Sequence, residues 1–339
     1  MDSLSQALRS PEFKSILAAK GIIVSTDERM PDYWHLSYGP ASDRDCAFTA
    51  ACRGTTVDMA EQKVISPGLT RFFNEAEPQA APIDWTSAKV YEKLDGSLIK
   101  LWYSEKYGRW VTSTRGSLMA SGRVSNYGFN FDDLFAATVR FDIEKLNKSI
   151  IYYFELCTRF NKIVVQYSGD FVNLIAARSA HTFQEFSPED IGIIDGLPVV
   201  PQVTDFREYV EGLTGTEGEG VVVVDKDYRR IKIKAADYVK RHYYYNTTAE
   251  KLWLLPDNDI AEIVGYFPEK AKAITDIELK LSILQAQVDK VTCLGYKELG
   301  LSNTDPLVKQ AAFVQKRKGL TVRDWCKSMN HKKLAGVIS

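Results

Sequence analysis

The sequence is poor in the residues that most often build metal centres and thiol chemistry. It has 4 histidines and 5 cysteines among 339 residues. The cysteines (Cys46, Cys52, Cys157, Cys293 and Cys326) are odd in number and include no C-x-x-C pair. That pattern speaks against a disulfide framework and a zinc site, and for a reducing compartment. Long apolar runs are missing too. Nothing approaches the ~18 residues of a membrane span, and MDSLSQALRS lacks the apolar core of a signal peptide. A soluble, cytoplasmic protein with no membrane partner is therefore expected. Nor is one sign of charge in excess, with 43 basic against 44 acidic residues. Any nucleic-acid contact must then come from local patches rather than overall attraction.

What is present is an ordinary globular composition, 45% hydrophobic and 26% charged. The length suits about two domains. From about Lys89 to Lys234 the chain reads as short strands rich in Val, Ile, Tyr and Phe: SLIKLWY (97–103), RWVTSTR (109–115), IIYYFEL (150–156), KIVVQY (162–167), GVVVVD (220–225) and RRIKIK (229–234). Asp95-Gly96, Tyr107-Gly108 and Ser168-Gly169-Asp170 mark turns, the first read as a hairpin. This spacing predicts antiparallel sheets. Helices are expected near 131–146 and at SPEDIG, with Ser187 as N-cap and Pro188 at the first helical position. After Asn246 the pattern turns helical. Thr247 and Glu250 suggest a capping box, and 268–292 places Ile274, Ile277, Leu281, Leu284 and Val288 at helical spacing. Asp305-Pro306 opens another helix, and Thr321 with Asp324 a last one. The expected architecture is α+β over 1–245, followed by an all-α domain over 246–339.

Lys93 stands in YEKLDGSLIKLWY, two residues before Asp95-Gly96. Alone, K-x-D-G describes a rim lysine beside a turn. Further along, Glu155 ends a strand that reads as buried, and Glu219-Gly220 opens four valines. Lys232 and Lys234 alternate with Ile231 and Ile233, which puts both amines on one strand face. Upstream stand Arg53 and the segment Arg71-Phe72-Phe73-Asn74. Singly, each has an ordinary explanation as a solvated strand end or a half-exposed face. The order K-x-D-G, E, E-G, K-x-K is much harder to obtain by accident.

The set suits nucleotide transfer through a lysine. An amine attacks only when unprotonated, and a free lysine has a pKa of ~10.4. Lys232 or Lys234 nearby would lower the Lys93 pKa and stabilise charge on a phosphate under attack. Glu219, with Glu155, could hold Mg²⁺ directly or through water. Asp95-Gly96 would let the backbone approach a nucleotide, and Phe73 would offer a stacking face.

These residues resemble the covalent nucleotidyltransferase superfamily of ATP-dependent ligases and capping enzymes, whose fold is an antiparallel-sheet, ATP-grasp-like domain. The resemblance narrows to the RNA ligase 1 family of T-even phage type. RFFNEAE (71–77) is similar to its K-F-F-N-x-x-E element, STRGS (113–117) to T-K-G-S, and FELCTRFNKIVVQY (154–167) to F-E-x-x-x-x-x-N-[KR]-I-V. Arg71 and Arg115 stand where phage members carry lysine, which keeps the charge but adds bidentate phosphate contacts. The resemblance implies that Lys93 takes AMP from ATP as a phosphoramide, passes it to an RNA 5′-phosphate, and that a 3′-hydroxyl then displaces it. Arg53, Arg71 and Arg115 would contact ribose and phosphates, Phe73 adenine and Glu155 ribose. Glu219 would engage Mg²⁺ (or Mn²⁺), and Lys232 and Lys234 the α-phosphate, with Asp95, Gly96 and Gly220 completing the cofactor-binding set. Expected partners are ATP and single-stranded or nicked RNA such as a broken tRNA. An upstream polynucleotide kinase/phosphatase, a monomeric state and, for a phage protein, the host cytoplasm are also implied.

Capping enzymes and DNA ligases of the superfamily usually continue into an OB-fold, which would read as about five further strands. A helical continuation favours RNA ligase over both. From Pro306 to Ser339 eight Lys or Arg face one acid, Asp324, with Lys316-Arg317-Lys318 and Lys332-Lys333 densest. That is either a solvated helix surface or an RNA phosphate patch. Trp325 is expected in the core. The four histidines (His35, His181, His242, His331) are expected to be structural or surface residues. The alternatives are another lysyl-nucleotidyl transferase, namely a DNA ligase or a GTP-using capping enzyme, and a non-catalytic RNA-binding module.

Overall fold

A computed structural model describes residues 2–125, 127–214, 217–317 and 319–338. Its internal contacts divide the chain into Met1–Val239 and Lys240–Ser339.

The first unit opens with the helices Asp2–Leu8 and Phe13–Ala19, and with an antiparallel sheet of β1 (Ile22–Ser25), β2 (Tyr33–Tyr38), β3 (Thr55–Asp58) and β4 (Lys63–Ser66). Leu4, Leu8, Leu17, Leu36 and Val57 give this part its own core. Next come β5 (Phe73–Asn74) and β6 (Lys89–Glu92), which belong to a sheet completed only later. β7 (Ser97–Ser104), β8 (Arg109–Ser113), β9 (Ile150–Cys157), β10 (Phe171–Ser179) and β11 (Glu185–Phe186) form an antiparallel sheet ordered β11-β10-β9-β7-β8. Finally β12 (Gly220–Val224) and β13 (Arg230–Lys234) join the earlier pair in the order β5-β13-β12-β6. The fold is α+β with antiparallel sheets, apart from the two-residue β5, which runs parallel to β13.

β9 shows why its sequence is apolar without a break from Ile150 to Phe154. Tyr152, Phe154 and Leu156 pack with Phe135 and Leu174 on one face, while Ile151 and Tyr153 pack with Trp102 and Val111 on the other. A strand covered on both sides needs apolar residues at every position rather than at every second one.

Several local expectations are corrected. β6 pairs with β12, and β7 with β8 and β9, so Asp95-Gly96 is no hairpin turn but the crossing between two sheets. Residues 162–167 form no strand despite their β-branched run. The N–H groups of Val164 and Val165 donate to Asp95 Oδ2, both at 2.8 Å, so a carboxylate takes bonds a strand would give to a neighbour. The helix expected over 131–146 is shorter, Phe131–Thr138 capped by Asn130 and Asp133, followed by a single turn at Ile143–Lys145. The Pro188–Asp195 helix follows Ser187, but the Ser187 hydroxyl bonds to Glu189 instead of capping a backbone N–H.

In the second unit, Thr247 does not cap the next helix. Its hydroxyl donates to the Tyr243 carbonyl, and Thr248 precedes Ala249–Trp253. The helix Pro268–Leu294 buries Ile274, Ile277, Leu281, Val288 and Val291, with Leu284 only half-buried. Trp253 is fully buried, its indole donating to Glu278 at 2.7 Å, whereas Trp325 is half-buried against Phe313. Asp305 caps Pro306–Gln315, and Thr321 and Asp324 form a capping box for Val322–Lys327. That helix is not the last, since His331–Ile338 follows. Of the basic run, Lys318 lies outside the described residues. Among those residues no helix is long and apolar enough to cross a membrane.

Candidate active site

A cavity of about 550 Å³ separates the β5-β13-β12-β6 sheet, through Tyr91 and Val222, from Leu98 and Glu155 of the neighbouring sheet. Register decides which side chains face it. Tyr91, Val222 and Lys232 are directly paired across β6, β12 and β13, and Gly220 is paired with Lys234. Paired residues share a face, so both lysines lie on the cavity side of their sheet and Ile231 and Ile233 on the other.

Lys93 follows the end of β6, and its backbone N–H donates to the Gly220 carbonyl at 2.8 Å. Its Nζ donates to Glu219 Oε2 at 2.8 Å, and Lys234 Nζ donates to Glu219 Oε1 at 2.7 Å. Glu219 is 4% exposed and bonded to an ammonium group on each oxygen. Across the cavity Glu155 Oε1 accepts the Gly96 N–H at 3.2 Å. Both glycines are required by close approach. A Cβ on Gly96 would overlap the Leu156 carbonyl oxygen, and one on Gly220, at φ +137°, would overlap that of Ile233.

The electrostatics reverse one expectation. Burial alone would pull the Lys93 pKa down, but Glu219, then Glu155 and Asp95, outweigh it, and the amine ends above the ordinary lysine value. Neighbouring Lys232 and Lys234 are not enough to bring it down, because the carboxylates dominate the balance. The amine whose pKa falls is Lys232, through burial first and then Lys234 and Lys93. Burial pushes Glu155 up to about 7, with Lys93 opposing and Glu219 adding.

Arg53 and Arg115 line the cavity as well. Arg53 donates to the Leu69 carbonyl at 2.9 Å, while its buried Nε has no partner among the described residues. An orphaned guanidinium donor beside a cavity suits an anionic ligand such as a nucleotide phosphate. Arg115 lies 5.9 Å from the Tyr38 ring.

Four expected site residues are placed differently. Phe73 pairs with Ile231, which turns it away from the amines, and Arg71 stacks on it at 4.3 Å. Neither lines the cavity. Phe72 does, with Lys232 Nζ 5.9 Å from its ring. Asp95 is 3% exposed and serves the scaffold. Its carboxylate accepts the Tyr238 hydroxyl at 2.8 Å besides the two valine N–H groups, and its own N–H donates to the Tyr167 hydroxyl at 2.7 Å. Glu219 does not fit a direct metal ligand, since each oxygen already accepts from a lysine, which leaves the expected contact through water. Among the described residues no group of three or more His, Cys, Asp or Glu could hold an ion. Phe72 at the cavity wall, and Tyr167 and Tyr238 against Asp95, are neighbours of the site that sequence reasoning did not single out. Only strand register chooses between the adjacent phenylalanines 72 and 73.

The family model described as RNA ligase matches residues 51–254, more than half of the chain and every site residue from Arg53 to Lys234. This chain belongs to the RNA ligase family. A viral relative, described as a bifunctional polynucleotide kinase/RNA ligase of Autographa californica nuclear polyhedrosis virus, is 29% identical over 59% of this chain. The chain spans 32% of that protein's length. An RNA ligase of Rhodothermus phage RM378 is 27% identical over 87% of this chain and 83% of its own. Among solved structures, an archaeal ATP-dependent RNA ligase superposes with a TM-score of 0.50 at 16% identity, covering 74% of this chain and 68% of that one. A protein described as an ATP-dependent DNA ligase from Aquifex aeolicus gives 0.51 at 16% identity, covering 90% and 78%. These likenesses show that the RNA ligase family member has the nucleotidyltransferase fold.

Proposed function

We propose that the chain is an ATP-dependent RNA ligase in which Lys93 carries AMP. The observation that supports this best is the Lys93 amine at the cavity wall, bonded to Glu219 and flanked by Lys232, Lys234, Arg53 and Arg115. Lys93 Nζ loses a proton, for which Glu219 at 2.8 Å is the nearest acceptor, and attacks the α-phosphorus of ATP. A P–N bond forms, the bond to the β-phosphate oxygen breaks, and pyrophosphate leaves. An RNA 5′-phosphate oxygen then displaces Lys93, and a 3′-hydroxyl displaces AMP as the phosphodiester forms. Each step is an in-line displacement helped by positioning and charge stabilisation. Arg53 and Arg115 hold phosphates, Phe72 packs on the base, and Lys232 and Lys234 balance charge at the α-phosphate. Arg71, outside the cavity wall, is left for the outer phosphates. A divalent ion, Mg²⁺ or Mn²⁺, accompanying ATP would neutralise phosphate charge, with Glu219 the residue placed to engage it through water.

The phage and viral relatives support RNA over DNA as the polymer, and the kinase-fused relative supports an upstream end-healing kinase. The helices from Pro306 onward, carrying Lys309, Lys316, Arg317, Lys332 and Lys333, are proposed to contact RNA phosphates. Mass spectrometry with ATP tests the chemistry. An AMP-sized adduct on Lys93, removed by pyrophosphate, is the expected result. A GMP adduct in its place would overturn the reading in favour of a capping enzyme.

A further inference from the structure

Two loops of the cavity wall carry an aromatic cluster that the reaction above does not use. The loop 115–131 supplies Arg115, Gly116 and Phe131 to the wall, and the loop 158–167 supplies Ile163. The first folds back on itself, with Arg123 bridged to Asn130 and the Phe131 N–H donating to the Gly122 carbonyl. Its outer part presents Tyr127, which stacks on Phe129 at 5.4 Å and 15° and meets the Phe160 edge at 5.1 Å. Phe129 and Phe160 also pack onto the main core, which accounts for them. Tyr127 is not part of that core and is 44% exposed.

Charge adds a second observation. Arg115, Arg123 and Lys162 lie in these two loops, whose own sequences hold no Asp or Glu, while Arg159 is paired with Asp170 at 3.0 Å. Arg159 packs 5.5 Å from the Phe160 ring. An exposed aromatic face, on cation-bearing loops continuous with a nucleotide-sized cavity, matches the way proteins bind unpaired nucleic-acid strands: rings stack the bases and cations elsewhere on the same loops track the phosphates.

We propose that Tyr127, backed by Phe129 and Phe160, is a stacking platform for an unpaired base of the RNA next to the end being joined. This rests on the ligase reading above. The test measures sealing by wild type, Tyr127→Ala, Tyr127→Leu and Tyr127→Trp, varying first the concentration of a pre-adenylated 5′ strand and then that of the 3′-hydroxyl strand. Whichever strand stacks identifies itself by the KM that moves. The Ala and Leu variants are expected to raise that KM on the order of tenfold, the range for loss of one base–aromatic stack, and Trp to restore it. Lysyl-AMP formation, which needs no RNA, is measured in the same preparations. If wild type forms no lysyl-AMP, the ligase reading itself fails. If lysyl-AMP forms but both KM values stay within twofold, or Leu and Trp raise them equally, the platform is wrong. Tyr127→Leu keeps apolar bulk against Phe160 and carries the comparison should Tyr127→Ala not fold.

Discussion

Lys93 and Lys100 stand seven residues apart on either side of the crossing between two sheets, the first half-buried at the cavity wall and the second fully buried, and their surroundings are opposite. Lys93 is ringed by the carboxylates of Glu219, Glu155 and Asp95, which hold its pKa above the ordinary value. Lys100 is 3% exposed and donates to two carbonyls, Gly54 at 2.8 Å and Ser66 at 2.7 Å. Burial, with Arg178 adding, drives its pKa well below the ordinary value. By titration alone Lys100 is the better nucleophile. It cannot act as one, because its amine is held as a donor to two carbonyls and its surroundings leave only about 10 Å³ free, too little for a phosphate to reach it. Access and neighbouring cations therefore set Lys93 apart as the proposed nucleophile, and a low pKa does not.

The comparison breaks most directly by exchanging the two amines' fates. Lys93→Ala should abolish the AMP adduct and sealing completely, as read by mass spectrometry and gel assay. Lys100→Met should still form lysyl-AMP on Lys93 when folded. It should also unfold several degrees lower, because two buried carbonyls lose their donor at roughly 1–3 kcal/mol each. An adduct missing from folded Lys100→Met would mean that Lys100 takes part in the chemistry.

A next effect separates the two phenylalanines. Phe72→Ala should raise the KM for ATP on the order of tenfold by removing packing against the base, whereas Phe73→Ala should leave it within about twofold. A larger effect at Phe73 would place the base on the other face of β13.

The raised Lys93 pKa sharpens the contrast in a pH profile. Single-turnover lysyl-AMP formation should climb from pH 7 to pH 9 as more amine loses its proton. Glu219→Gln should move that climb to lower pH, whatever it does to the maximum rate. A profile flat across this range would remove the carboxylate cage from the account.

The smallest effect concerns Glu155, whose folded pKa of about 7 exceeds the value of 4.5 expected when unfolded. A raised acid contributes stability that is complete below about 4.5 and lost as pH rises through about 7. Glu155→Gln should therefore gain Tm relative to wild type at pH 8 compared with pH 5, measured by thermal melts. An equal difference at both pH values would show that Glu155 is ionised throughout.

Much of this was legible in the residues. The alternation in β13, the doubly buried β9 and the long helix from Pro268 all follow from apolar spacing, and the ordered motifs brought Lys93, Glu155, Glu219 and Lys234 together. What sequence could not supply was pairing. Asp95-Gly96 reads as a hairpin only if β6 and β7 are partners, and nothing local says that β6 belongs with β12. The run 162–167 has strand propensity, but Asp95 claims its N–H groups from about seventy positions away. The sign of the Lys93 shift likewise depended on whether a carboxylate or an ammonium lay nearer, which spacing cannot decide.

The crossing at Asp95-Gly96 carries a mechanical consequence. It joins the sheet of Lys93 to the sheet of Glu155 at a point where the Gly96 backbone lies directly against Leu156. Two plates pivoting about such a joint move least beside it and most at their far margins. Lys93 and Glu155 thus sit beside the tie between the sheets, where any relative motion of the two would alter their separation least.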